Sequence, residues 1–215
     1  MACLASLFLS GCAQFQELTA QLMTEDTWEQ DRTAVTVDSD GTIHETVLDR
    51  LDHDWYSAAE LQKMIEDTVA AYCAEHGENA VSVDSLETEN GEIRLTMTYR
   101  NAQDYEDYNH VTFYQGSMLG AQMDGFRFDQ TFYRVSRGRK QDKPLSGEEP
   151  LSHKEWQVLI TSEPHVVCLP GRIVYISENG DLLGKQIAEP IPAEEQGENE
   201  KGEDHDHLLY VIYEF

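Results

Sequence analysis

The stretch that decides the fold runs from Ser57 to Tyr99: SAAELQKMIEDTVAAYCAEHG (57–77), a two-residue link, then AVSVDSLETENGEIRLTMTY (80–99). The first part predicts an amphipathic helix over Ala58–His76. Ser57, with Glu60 three positions on, makes a capping box in which each side chain satisfies a backbone N–H at the helix start. Gly77 is placed for a left-handed C-terminal cap. Leu61, Met64, Ile65, Thr68, Val69 and Tyr72 fall on one stripe, with Glu60, Lys63 and Asp67 opposite. The second part changes to strict alternation. Ile93, Leu95, Met97 and Tyr99 point one way, Arg94, Thr96 and Thr98 the other, and Glu89-Asn90-Gly91 turns the chain back toward Val81 and Val83. A helix with one apolar stripe beside a hairpin with one apolar face predicts an α+β fold: an antiparallel sheet covered by one long helix, followed by a mostly β C-terminal half.

Upstream, Thr33–Val37 and Thr42–Leu48 flank Asp38-Ser39-Asp40-Gly41 and read as another hairpin. Asp-x-Asp-Gly also opens calcium loops, but such a loop needs a bidentate Glu at its twelfth position, which here is Asp49. Downstream, a helical turn is expected over Ala102–Asn109, a strand over Val111–Tyr114 and a brief helix over 117–124. The polar stretch 136–154, with Gly138, Pro144, Gly147 and Pro150, reads as a linker or long loop. Apolar runs at 156–160, 166–169, 172–176 and 208–213 then make the C-terminal half. The expected organisation is an α+β region (31–135), the linker, and a mostly β region (155–215) carrying an acidic loop at 189–207. That loop holds six Glu and two Asp against one Lys, too charged and too poor in apolar residues to offset its ordering entropy.

The 215 residues carry 41 Asp and Glu against 15 Lys and Arg, a formal net charge of -26. Such a field repels nucleic acid, so no nucleic-acid partner is expected. The hydrophobic fraction of 40% excludes both a disordered chain and a multi-span membrane protein.

The N-terminal segment has a different character. Met1 to Gly11 contain no charge, and Ala2, Leu4, Leu7, Phe8 and Leu9 form an apolar run too short to span a bilayer, which takes about 20 residues. The run ends in Leu9-Ser10-Gly11-Cys12, which resembles the lipobox of bacterial lipoproteins. Residues 13–30, with Phe15, Leu18 and Leu22 at helical spacing, read as a stalk. Further along, Tyr56-Ser57-Ala58-Ala59-Glu60-Leu61, the Asp104–Asn109 run and Pro170–Ser177 are similar to uncharacterised lipoproteins of anaerobic Firmicutes. The resemblance implies that residues 1–12 are a signal peptide, that Cys12 is lipidated, and that the body lies outside the cytoplasm on the cell membrane. It transfers no catalytic residue.

Few side chains offer chemistry. Cys73 and His76 lie three apart on one helix, the spacing of a thiol and its base, but no orienting residue or oxyanion site accompanies them, and packing is the preferred reading. Cys73 and Cys168 can form a disulfide closing a loop of about 95 residues, contributing about 4 kcal/mol, or can remain free; both readings stand open. His44 and His53 with Asp52 and Asp54, and Asp204-His205-Asp206-His207, lack zinc-ligand spacing and read as solvated charges. Arg127, Arg134, Arg137, Arg139, Lys140 and Lys143 make a basic run, read either as a docking patch for an anionic polymer or headgroup or as partners for neighbouring acids. Trp55, Tyr56, Tyr105, Tyr108, Phe113 and Tyr114 suit a sugar-stacking face or a core. No metal cage, phosphate loop or nucleophile–base–orienter set assembles, so no cofactor or metal is expected. The expectation is a lipid-anchored binding or interaction module of the cell envelope whose partner is an envelope protein or polymer. The alternative is an envelope enzyme using Cys73 or a carboxylate.

Overall fold

A computed structural model describes residues 31–50, 57–192 and 208–215. The hairpin at the start forms as expected: β1 (Ala34–Val37) and β2 (Ile43–Arg50) pair antiparallel, with Gly41 at positive φ in the turn. Helix α1 spans Ala58–His76, and the Ser57 hydroxyl accepts the Glu60 N–H at 3.4 Å. Gly77 takes a positive φ of 104°, but its ψ of 158° lies outside the left-handed helical region expected for it. Its N–H still closes the helix by donating to the Cys73 carbonyl. The second hairpin joins β3 (Val81–Glu89) to β4 (Glu92–Tyr99) through Asn90 and Gly91, both at positive φ, as the right-handed twist of a two-residue turn requires.

The chain is mixed α+β, with a strand-rich C-terminal half, as its periodicities predict. After β4 come α2 (Ala102–Asn109), β5 (Phe113–Ser117), α3 (Met118–Met123), β6 (Phe132–Ser136), β7 (Arg139–Leu145) and α4 (Glu148–Leu151). Then follow β8 (Gln157–Thr161), β9 (Val166–Cys168), β10 (Arg172–Ser177), β11 (Gly180–Leu182), β12 (Ile187–Pro190) and β13 (Leu209–Glu214). They form two mostly antiparallel sheets, ordered β11-β12-β9-β1-β2-β4-β3 and β5-β8-β13-β10-β6-β7. The regions expected at 31–135 and 155–215 therefore interleave: β9, β11 and β12 join the N-terminal sheet, while β5 to β7 join the C-terminal one.

Both sheets contribute to one core. Val35, Ile43, Met97 and Tyr99 of the first cluster with Leu159, Ile173, Ile176, Leu209 and Val211 of the second. The far side of the second sheet is covered too, with Val158, Ile160, Tyr175 and Ile212 packing against Met118, Ala121 and Phe128. Coverage on both faces is why β8 and β13 read as unbroken apolar runs rather than alternating ones.

The stretch 136–154 is not a linker. It holds β7, an edge strand, and α4, whose Pro150 is buried and whose Leu151 packs on the second core. A Cβ on Gly147 would collide with the Phe128 carbonyl, so the polar composition there reflects a tight backbone approach at the surface rather than a free loop. Likewise Glu189 and Pro190, expected in the acidic loop, end β12; residues 193–207 lie outside the described residues. Helix α1 lies along the edge strand β3 and fully buries only Ile65, while Met64 stays 59% exposed, so its apolar stripe is narrower than its periodicity implies.

The packing makes a clear forecast. Leu209→Ala, at a position with no solvent exposure, should cost about 2–5 kcal/mol in urea denaturation, and Met64→Ala should change stability by less than about 0.5 kcal/mol. Equal losses would show that the two sheets do not share the core described.

Candidate functional site

One row across the first sheet breaks its own pattern. Val83, Met97, Glu45, Val35, Val167 and Ala188 are successive cross-strand partners and so share one face. All but Glu45 are apolar, and that face is the shared core. Glu45, only 5% exposed, therefore carries a carboxylate into the space between the sheets.

Two connections that pass from one sheet to the other bring polar groups to it. The first, residues 100–112, contains α2. It starts at Asn101, whose side chain caps the Asp104 N–H, and stops where His110 takes a left-handed conformation. The second is the short loop 162–165 between β8 and β9. They run together at the β5–β8 edge, where the Ser162 N–H donates to the Thr112 carbonyl at 3.0 Å and the Thr112 N–H to Ser162 Oγ at 3.2 Å. From the first comes Tyr105, fully buried against Tyr99 and Phe113. From the second come Glu163 and His165.

The Tyr99 hydroxyl donates to Glu45 Oε2 at 2.7 Å. Tyr105 Oη lies 2.6 Å from Glu163 Oε2 and 3.2 Å from Glu45 Oε1. A phenol has one proton, so the nearer Glu163 takes it, and Glu45 Oε1 keeps only a weak share. His165 Nδ1 sits 3.5 Å from Glu163 Oε1, yet it is buried and makes no hydrogen bond. One ligand-type atom each from Glu45, Glu163 and His165 fall within 4.8 Å of one another.

Burial governs the electrostatics. It pushes the Glu45 carboxyl above its ordinary range; the Tyr99 hydrogen bond works against this, and the nearby Glu163 charge adds to it. Glu163 is raised by burial as well, and burial lowers His165. Around neutral pH the imidazole is therefore uncharged, and the His165–Glu163 contact is not an ion pair. A neutral imidazole keeps one nitrogen lone pair free to accept a proton or ligate a cation. Tyr99 and Tyr105 are driven upward by burial and by these carboxylates, so both remain phenols that donate.

Of the described residues singled out from sequence, Tyr105 joins this cluster and the candidate thiol, base and basic residues do not. Cys73 Sγ donates to the Val81 carbonyl at 3.3 Å, and His76 stacks flat on Tyr72 at 4.0 Å, so they do not act as thiol and base. Cys73 and Cys168 are both free thiols. Cys73 lies against β3 and Cys168 on β9, four strand spacings apart, roughly 19 Å. A disulfide needs Cα atoms within about 7 Å, so the bonded reading fails. Burial pushes the Cys168 thiol up to about 11.

The basic run, apart from Arg127, lies on the β6–β7 hairpin. Arg127 pairs with Asp129, and Arg134 with Glu149 and the Tyr175 hydroxyl. Lys140 Nζ donates to the Glu178 and Gly180 carbonyls, and Arg137, Arg139 and Lys143 are exposed on the β6–β7 hairpin. An open hollow of about 480 Å³ beside Phe126, Arg127, Gly147 and Leu151 shares no residue with the Glu45 cluster. Tyr105 and Phe113 fill the core instead of forming a stacking face, and Tyr114 packs on Phe126. His44 bonds Thr98 and Asp38 on the outer face of the first sheet. Cys12, Asp52, His53, Asp54, Trp55, Tyr56 and Asp204 to His207 lie outside the described residues.

Two signals in the sequence point to the cluster. In Ile43-His44-Glu45-Thr46-Val47, strand alternation puts Glu45 on the same side as Ile43 and Val47. Glu163-Pro164-His165 is a short polar insert between two apolar strands. What the sequence lacks is the sheet order that unites them.

Comparison with protein-family models, with curated proteins and with solved structures finds no match.

The tyrosine–carboxylate bond has a measurable signature. Tyr99→Phe should cost about 1–3 kcal/mol, because a buried carboxylate oxygen loses its donor. In a Glu45→Leu background the same change should be neutral or stabilising, since the hydroxyl then has no carboxylate to serve. A double-mutant cycle by urea denaturation checks this, and a coupling energy near zero would show that the pair does not interact.

Proposed function

We propose that this chain is a lipid-anchored binding or interaction module on the extracytoplasmic face of a bacterial cell membrane, with an envelope protein or polymer as its partner. The observation that carries this reading is the uncharged apolar run ending in Leu9-Ser10-Gly11-Cys12. A thiol at that place is the acceptor of a diacylglyceryl group, and cleavage before it leaves the lipidated Cys12 as the new N-terminus. The likeness to lipoproteins of anaerobic Firmicutes points the same way. Among the described residues no helix is long and apolar enough to cross a membrane.

Binding is preferred to catalysis because the titratable groups that converge do so in a tight interior. Glu45 touches two phenols and is almost closed to solvent, and among the described residues no nucleophile with a base and an orienting partner lies beside it. The convergence of two carboxylates and an imidazole favours a second reading, an envelope enzyme that uses a carboxylate. The thiol-dependent form loses its support with Cys73 bonded to a backbone carbonyl.

Expression of the full chain in a lipoprotein-processing bacterium fed labelled palmitate tests the anchor. The wild type should carry label and sediment with membranes. Cys12→Ser should lose the label and either stay as an unprocessed precursor or appear in the soluble fraction. Equal labelling of the two proteins would defeat the reading.

A further inference from the structure

We propose that Glu45, Glu163 and His165 form a binding site for a single divalent first-row transition cation, of which Zn²⁺ is the natural probe. This does not rest on the lipid anchor. It goes beyond the sequence, in which no metal ligand set is recognisable.

The donor set comes first. Three ligand-type atoms from two parts of the chain, β2 and the β8–β9 loop, meet within 4.8 Å. Two carboxylates with one imidazole suit zinc, manganese or iron, whereas calcium and magnesium prefer oxygen donors alone. Catalytic-type zinc sites use three protein ligands and leave a fourth position for water.

Spacing is the second point. Ligands about 2.0–2.2 Å from a tetrahedral ion stand roughly 3.3–3.6 Å from one another. His165 Nδ1 and Glu163 Oε1 are already 3.5 Å apart. The Glu45 oxygen lies within 4.8 Å of both, a gap that small rotations within a glutamate's rotamer well can narrow.

Third, the site has needs that the protein alone leaves unmet. His165 Nδ1 is buried without a hydrogen-bond partner, beside a carboxylate oxygen. Two carboxylates share this interior, and the Tyr105 proton can satisfy only one of them fully. A dication supplies positive charge to both carboxyl groups and, with the imidazole in its Nε2–H tautomer, takes the Nδ1 lone pair as well.

Fourth, the surroundings are those of a built site. Tyr99 holds Glu45 through Oε2 and Tyr105 holds Glu163 through Oε2, the role that orienting groups play around metal ligands. The Glu163 and His165 side chains retain 13% and 24% exposure, which gives an ion a way in.

The test uses the full-length protein, stripped with chelator and titrated calorimetrically with Zn²⁺, with Co²⁺ absorption as a second readout. The wild type should bind one equivalent in a saturable phase and give the intense visible bands of Co²⁺ held by nitrogen and oxygen in a low-symmetry site. Glu163→Gln and His165→Ala should each lose that phase and those bands. Tyr105→Phe should keep the bands but weaken binding about 10–100-fold. His205→Ala/His207→Ala removes the histidines of the acidic segment as a competing source of weak binding, and should leave the phase intact. If it abolishes the phase while His165→Ala retains it, or if no stoichiometric phase exists in the wild type, the proposal is wrong. Should a ligand variant misfold, the wild type alone decides: its Tm should rise with Zn²⁺ and not with Mg²⁺, and no rise with Zn²⁺ refutes the site.

Discussion

A carboxylate between two sheets is the constraint from which the rest of this site follows. Glu45 stands in a cross-strand row otherwise made of Val, Met and Ala, where an unpaired charge would be several kcal/mol too costly to keep. The fold meets that cost by bending two sheet-to-sheet connections over it. One delivers the Tyr105 hydroxyl and the other delivers Glu163 and His165, while Tyr99 reaches across from the next strand. The two phenols stabilise the Glu45 carboxylate, whereas Glu163 beside it works against that charge. Burial disfavours the charge of both carboxyls, and a cation is a partner that would offset it.

The surface repeats this excess on a larger scale. A net charge of -26 enriches cations around the whole molecule and speeds their encounter with any site on it. The basic side chains gathered on the β6–β7 hairpin oppose this field only locally, and Arg127, Arg134 and Lys140 are each engaged by neighbours. On the proposed envelope reading, a tethered domain of this kind would be immersed in external divalent ions rather than in a chelating cytosol. Its acidic exterior would gather them nonspecifically, and selectivity would lie with the one site that adds an imidazole to its carboxylates.

Legibility in the sequence follows the range of the forces involved. Helix α1 is readable to the residue because Ser57, Glu60 and Gly77 act locally, and both N-terminal hairpins are readable because Asp40-Gly41 and Asn90-Gly91 fix tight turns. The segment 136–154 misleads because its Gly, Pro and charged residues serve an edge strand and a packed turn at the surface, where composition looks like that of a loop. Strand order is illegible: nothing in Val166-Val167-Cys168 announces that it runs parallel to β1 in the other half of the chain. The site shares that limit. Glu45 can be placed on an inward face by alternation, but its meeting with Glu163, more than a hundred residues later, depends on the interleaving of the sheets. Cys73 with His76, only three apart in sequence, is brought to no common task, since helical proximity alone does not orient a thiol toward a base.

The most direct measurement is X-ray diffraction from Zn²⁺-soaked crystals of the chelator-stripped protein, with an anomalous difference map at the zinc absorption edge. One strong peak should stand bounded by Glu45, Glu163 and His165, with Nδ1 of the imidazole pointing at it and Glu45 drawn inward from its metal-free place. A featureless map at that point, with anomalous density only at surface groups such as His44 with Asp38, would contradict the proposed cation site.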